Sequence, residues 1–157
     1  MAAATEPDGL FVEPCGMVHV DLLASLHAVL FPDSWDTEAF RTLMATPGTL
    51  GFLATDNGAP AGMVIGRVAA DECEILTLGV LPAARRRGIA KALLDSLIAA
   101  MDPVGVRRMF LEVGDSNTAA RRLYESRRFH EVARRPAYYG SPSGGRVDAL
   151  VLRRDLD

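Results

Sequence analysis

The chain has 157 residues, 49% of them hydrophobic and 24% charged, which is enough apolar material for one domain with its own core and no disulfide or metal staples. A net charge of −3 excludes a general electrostatic pull on nucleic acid, and two cysteines, Cys15 and Cys73, are too few for a zinc pattern. Residues 1–8 lack the positive charge and apolar run of a signal peptide, and no stretch approaches the roughly 18 apolar residues of a membrane helix, so a cytoplasmic location is expected.

In chain order, residues 1–8 read as loose and residues 10–12 as a short strand. Leu22, Leu23, Leu26, Val29 and Leu30 have helical spacing, predicting a helix over 18–31 that Pro32 ends. Residues 35–43 form a second short helix, with Asp33 or Ser34 available to cap it. Apolar runs at 50–55 and 61–68 flank Asp56-Asn57-Gly58, a hairpin signal because both Asn and Gly tolerate positive φ. Residues 73–81 are nearly all apolar, as in a central strand covered on both faces. An amphipathic helix follows over 86–101, carrying Ile89, Leu93, Leu94, Leu97, Ile98 and Met101 on one stripe. A strand over 108–113, a helix over 117–126 capped by Ser116 or Asn117, and strands over 129–133, 137–139 and 147–152 complete the chain, with a turn at 140–145. The order predicts a mixed α/β layer with a parallel crossover in its second half.

Many arginines lie between Arg85 and Arg135, while the segment from Glu6 to Asp36 is acidic, so a local basic site fits inside an acidic protein. Its centre is Arg85-Arg86-Arg87-Gly88-Ile89-Ala90, placed between a buried strand and an amphipathic helix. The first turn of such a helix offers unsatisfied N–H groups and the positive end of the dipole. Gly88 and Ala90 leave room for a bulky anion, and arginines add charge-assisted donors, a combination suited to a diphosphate. The alternative is a solvated helix start. The motif is neither a Walker A loop nor a GxGxxG turn.

Six other positions stand out. Gly79 interrupts an apolar strand, marking either tight packing or a bulge with close backbone approach. Glu112 is the odd residue in Met109-Phe110-Leu111-Glu112-Val113, either a buried carboxylate usable as a base, a structural partner for Arg86 or Arg108, or a strand-end residue reaching solvent. Tyr124 lies seven residues after Asn117, on the same face of the short helix, as a proton donor or an aromatic anchor. Trp35 is either a pocket wall or core. Tyr138 and Tyr139 point to opposite sides of a strand, so at most one lines a given pocket. His19, His27 and His130 have no recognisable partner spacing.

Arg85-x-x-Gly88-x-Ala90 after a buried strand resembles the coenzyme-A motif of the GNAT superfamily of N-acetyltransferases. The block Leu111-Glu112-Val113, Ser116-Asn117-x-x-Ala120, Leu123-Tyr124-Glu125-Ser126 and Phe129 is similar to the RimI-type branch, bacterial acetyltransferases of a ribosomal-protein N-terminus. Phe31-Pro32-x-Ser34-Trp35, Arg135-x-x-Tyr138-Tyr139 and Gly145-Arg146-x-Asp148-Ala149 fit the same branch, so the resemblance runs from about residue 10 to 152.

The resemblance implies a GNAT-like fold: a central, mixed but mostly antiparallel, twisted sheet with one β-α-β crossover and flanking helices. It implies acetyl-CoA as co-substrate with no metal. The coenzyme would be bound by Leu78, Gly79, Val80, Arg85, Arg86, Arg87, Gly88, Ile89, Ala90, Lys91 and Asn117. Glu112 would be the general base, Tyr124 the general acid, and Trp35, Tyr138 and Tyr139 would lie on the acceptor side. The acceptor would be a protein or peptide N-terminus, a ribosomal protein among the candidates, or a small-molecule amine; a non-catalytic acetyl-CoA-binding module is the reading from another class. A monomer or weak dimer that touches neither membrane nor nucleic acid is expected. Gly114, Arg128 and Pro136 depart from the branch pattern, at positions where Arg, Gly and an uninterrupted segment are usual.

Overall fold

The computed structural model describes residues 4–5, 9–140 and 145–156. Eight strands form one sheet: β1 (Ala4–Thr5), β2 (Leu10–Cys15), β3 (Thr49–Asp56), β4 (Ala59–Ala69), β5 (Glu72–Val80), β6 (Arg108–Gly114), β7 (His130–Gly140) and β8 (Arg146–Asp155). Among the described residues four α-helices flank it: α1 (Val20–Leu30), α2 (Thr37–Ala45), α3 (Ile89–Ala99) and α4 (Thr118–Ser126). The strand order is β1-β2-β3-β4-β5-β6-β8-β7. Every neighbouring pair is antiparallel except β5–β6, which is parallel and joined through α3. This is the mixed sheet with one crossover that the element order predicts. The turn expected at 140–145 falls largely on residues 141–144, outside the described residues.

Strand alternation divides the core between the two faces of the sheet. Val64, Phe52 and Ala54 point to the side of α3, where Leu93, Leu94 and Leu97 are fully buried. Met63, Ile65 and Leu53 point to the other side, against Leu23 and Leu26 of α1 and Phe40 of α2. The middle strands are thus covered twice, as the near-continuous apolarity of 73–81 implies. Capping differs from expectation at α2. Asp36, not Asp33 or Ser34, accepts from the Ala39 N–H at 2.8 Å. At α4 the expected Asn117 caps, its Oδ1 accepting from the Ala120 N–H at 3.2 Å.

Two departures shape the region beside the crossover. The strands expected at 129–133 and 137–139 are one strand, β7, whose register against β8 slips between Arg135 and Tyr139. Pro136 cannot donate to the ladder, and Ala137 takes φ 52° while its N–H bonds Asp148 Oδ1 at 2.8 Å. Arg134 donates to Asp148 Oδ2 at 2.7 Å, and these two contacts hold the Asp148 carboxyl below the usual carboxylate range.

The second departure is Arg128. It sits at φ 67° in the left-handed region where the branch pattern has glycine. The Arg128 N–H bonds Glu125 O at 3.0 Å and the Phe129 N–H bonds Tyr124 O at 3.1 Å, the paired bonds of a Schellman stop. The Phe129 ring closes it edge-on against Tyr124, centroids 5.7 Å apart. The helix end therefore keeps the glycine geometry, and the arginine carries the strain. Left-handed strain of roughly 1–2 kcal/mol, less the entropy cost of a glycine of about 0.5–1 kcal/mol, predicts that Arg128→Gly stabilises the fold by about 0.5–1 kcal/mol. Urea unfolding of the two proteins measures this, and a destabilised glycine variant contradicts it.

Candidate active site

β5 and β6 pair over three residues only, from Glu72↔Arg108 to Glu74↔Phe110. Beyond that point β6 stays bonded to β8 as far as Gly114↔Ala149, while β5 stays bonded to β4 as far as Val80↔Gly62. The two strands part like a V. β5 also bulges, because Ile65 faces Thr77 while Gly66 faces Ile75, leaving Leu76 as the extra residue. The bulge is thus at Leu76 and not at Gly79. Of the two readings of Gly79, tight packing holds: a Cβ there would lie 2.6 Å from Leu30 Cδ1 of α1.

Two clefts meet in the V. The first, about 520 Å³, is lined by Leu78, Gly79 and Val80 of β5, by Arg85, Arg86, Gly88, Ile89, Ala90 and Lys91 at the start of α3, and by Leu123 and Tyr124 of α4. The expected helix over 86–101 starts only at Ile89, because Arg86 (φ 66°) and Gly88 (φ 79°) are both left-handed. These turns make a backbone concavity ahead of the helix, of the kind that holds anions. The first helical bond runs from the Ala92 N–H to Gly88 O at 3.0 Å, so the preceding amides have no helical acceptor. Arg85 Nε donates to the Val80 carbonyl at 3.0 Å, tying the loop to the end of β5. Arg87 departs from expectation. It does not line this cleft and forms an ion pair with Asp56 at the end of β3.

The second cleft, about 490 Å³, lies between the parted strands and is lined by Thr77 and Leu78, Glu112 to Gly114, Phe31, Asn117, Ala120, Tyr124 and Tyr139 among others. Asn117, expected at the coenzyme, lines this cleft. Leu78, Ala120 and Tyr124 belong to both clefts. Tyr124 is 7% exposed, and burial pushes its phenol up to about 12. It stands protonated at the junction. α4 is fixed there by Arg127, whose guanidinium grips Asp95 of α3 at 2.6 and 3.0 Å, and by Arg121, which bonds Asp115 at 2.7 Å.

Glu112 is not the buried carboxylate of the sequence reading, nor does it pair with Arg86 or Arg108. Its side chain is partly covered, and Arg135 meets Oε1 at 3.1 Å while the Tyr139 hydroxyl lies 3.5 Å from Oε2. Burial first, and then the Glu112 charge, raises the Tyr139 phenol above its ordinary value. Of the tyrosine pair, Tyr139 lines the cleft. Tyr138 is 49% exposed, with the Arg135 guanidinium 5.1 Å from its ring centroid. Trp35 lines neither cleft; its indole stacks on His27, centroids 4.5 Å apart. Sequence reasoning gave no site role to Phe31, Ala120 or Arg135. The Asn117-x-x-Ala120 spacing signals Ala120, while Arg135 reaches Glu112 only through the β7 irregularity. Among the described residues no group of three or more His, Cys, Asp or Glu could hold a metal, and no helix is long and apolar enough to cross a membrane.

The chain that brings together a parted parallel strand pair, a cationic backbone cradle at the following helix and a buried phenol where two clefts meet is an N-acetyltransferase. The chain matches the acetyltransferase (GNAT) family over residues 20–129 and belongs to it. It is 37% identical over 136 residues to [Ribosomal protein bS18]-alanine N-acetyltransferase of Escherichia coli (strain K12), spanning 84% of this chain and 89% of that protein. To the N-alpha-acetyltransferase RimI of Mycobacterium tuberculosis (strain ATCC 25618 / H37Rv) it is 35% identical over 161 residues, spanning 99% and 97%. The crystal structure of the ribosomal-protein-S18-alanine N-acetyltransferase from Escherichia coli superposes with TM-score 0.86 and 29% identity over 94% of each chain. Arabidopsis thaliana NAA60 in complex with acetyl-CoA shares the fold, with TM-score 0.79 and 24% identity over 94% of this chain and 98% of that one.

The three adjacent arginines should separate by experiment. Arg86→Gly keeps the left-handed backbone and removes one charge-assisted donor, so the Kd for coenzyme A rises about three- to tenfold. Arg87→Ala changes it by a smaller factor. Calorimetry measures both, and equal losses contradict the geometry.

Proposed function

We propose that the chain transfers the acetyl group of acetyl-CoA to the N-terminal α-amine of a protein, an alanine-starting ribosomal protein being the first acceptor to test. The observation that carries this reading is the position of Tyr124, which lines both clefts where they meet. The relatives named for ribosomal-protein alanine acetylation support the acceptor class over most of this chain's length. A ribosomal acceptor would set the work in the cytoplasm, with the whole chain acting as one catalytic unit.

In this reading Arg86, Lys91 and the amides at the start of α3 hold the diphosphate of the co-substrate, whose thioester supplies the activated acetyl carbonyl. The backbone of Leu78 to Val80 orients the extended arm by strand-like pairing across the gap. The acceptor amine lies in the second cleft, where Glu112 receives its proton through water. An α-amine with an ordinary pKa of about 7.7–8.0 needs little help to become neutral, which suits a carboxylate at the edge of a cleft better than lysine, near 10.4, would. The neutral nitrogen attacks the carbonyl directly, and backbone amides of the bulged β5 steady the oxyanion. As the C–S bond breaks, Tyr124 gives its proton to the departing thiolate, and the proton shed by the nitrogen as the amide forms returns through water to the phenolate. Raised to about 12, that phenol remains protonated throughout the neutral and moderately alkaline range.

Thiol release with peptides beginning in alanine or serine tests the acceptor. Turnover is expected, and release with small amines alone contradicts the reading. Tyr124→Phe should lower kcat about 10²-fold or more while leaving coenzyme A affinity within about twofold, since general acid catalysis contributes on the order of 10²–10⁴. Unchanged turnover removes Tyr124 from the mechanism. The pH profile gives a separate check with a definite sign. Tyr124 is active when protonated, so its loss of function belongs near pH 12, and wild-type kcat should show no descending limb from this group between pH 8 and 10. A descending limb there that Tyr124→Phe abolishes contradicts the assignment.

A further inference from the structure

His27 has no part in the chemistry above, yet it is among the few polar side chains in the core, 3% exposed. It lies on the last turn of α1 at the centre of an aromatic cluster. Its ring stacks on Trp35 at 4.5 Å and 20°, leans on Phe31 at 4.4 Å, and meets Phe40 edge-on at 5.4 Å. Its polar contact is directional as well: Nδ1 accepts the backbone N–H of Trp35 at 3.0 Å. The Phe31 N–H bonds the His27 carbonyl at 2.9 Å. One residue therefore holds both ends of the connection between α1 and α2, residues 31–36, by its backbone at one end and its ring at the other.

The α2 end of the connection is held further by Asp36, which caps α2, and by Trp35 against Phe40, centroids 5.5 Å apart, while its middle is bare. Pro32, Asp33 and Ser34 are exposed, and Pro32 has no N–H to donate. Phe31 lines the second cleft, and its Cε2 would lie 3.5 Å from a Cβ placed on Gly79 of β5. A shift of the connection therefore moves a wall of that cleft directly.

We propose that His27 is a positioning residue that clamps the α1–α2 connection through Trp35 and thereby sets Phe31 against the acceptor cleft. Burial pushes the imidazole below its ordinary value, so at neutral pH it is uncharged, with Nδ1 free of a proton and able to accept. A phenylalanine at this position supplies the stacking surface but no acceptor. An asparagine places an acceptor oxygen near the Nδ1 position but removes most of the ring. The two properties can therefore be separated.

The proposal rests on the second cleft being the acceptor side, so its test has one arm that depends on turnover and one that does not. Trp35 is the single tryptophan of the chain, which makes its emission a direct reporter of the clamp. The full-length protein is compared with His27→Phe and His27→Asn, with His27→Leu replacing the phenylalanine variant should that one fail to fold. In the first arm, acceptor KM for an alanine-starting peptide should rise about fivefold or more in His27→Phe. The KM for acetyl-CoA should stay within twofold, and His27→Asn should recover at least half of the loss. In the second arm, Trp35 emission should shift to longer wavelength and become more open to acrylamide in His27→Phe, and less so in His27→Asn. If no peptide turns over at all, the proposed acceptor fails while the emission arm still decides whether the clamp exists. Unchanged emission in His27→Phe, equal rises in both KM values, or an asparagine variant as impaired as the phenylalanine one overturns the proposal.

Discussion

The structure depends on a parallel strand pairing that stops after three residues. β5 and β6 begin side by side at Glu72 and Arg108 and are then drawn apart, each held along its other edge by an antiparallel neighbour. Buried backbone amides and carbonyls left unpaired are costly, so a gap of this kind persists where something extended can enter and bond to it. Bulging at Leu76 adds to the divergence. The helix that leaves β5 starts beside one end of the gap and the helix that leaves β6 covers the middle, so the crossover connection itself brings Gly88 and Tyr124 to the same cleft.

Charge is distributed along that cleft in a way that suits the chemistry of a thioester and an amine. Cationic side chains and helix amides gather at the α3 end, and a carboxylate stands at the other. The Glu112–Arg135 pair is partly exposed, and pairs of that kind are worth only about 0–1 kcal/mol. It is therefore easily rearranged by an incoming amine. Tyr124 is the opposite case, held by a Schellman stop, by ion pairs at both ends of its helix and by deep burial. In the proposed reaction the group that meets both substrates is rigid, and the group that exchanges partners is loose.

How far the sequence carried the account varied with the range of the interaction. Element types, the hairpin at Asn57-Gly58 and the crossover were legible because periodicity and turn chemistry are local. The Arg85 to Ala90 motif was legible as an anion cradle, but which arginines face it was not. Arg87 turns away because Asp56, 31 positions earlier, lies within reach across the sheet. The early left-handed residue Arg86 also moved the helix start from residue 86 to 89. Glu112 stood out as a carboxylate in an apolar strand, but its partners come from a strand whose register slips around Pro136, which no local pattern reveals. Trp35 looked like a candidate wall and is instead part of the packing under one, because His27 supplies both a stacking face and an acceptor from the preceding helix.

Amide hydrogen exchange with and without coenzyme A is the most direct measurement of the central claim. Protection should appear together at residues 78–80 of β5 and residues 88–91 at the start of α3, with β2 and β3 unchanged. Protection confined to the arginine loop, or none on the open edge of β5, would mean that the parted strands do not hold the extended arm of the coenzyme, and the account of the site would fail.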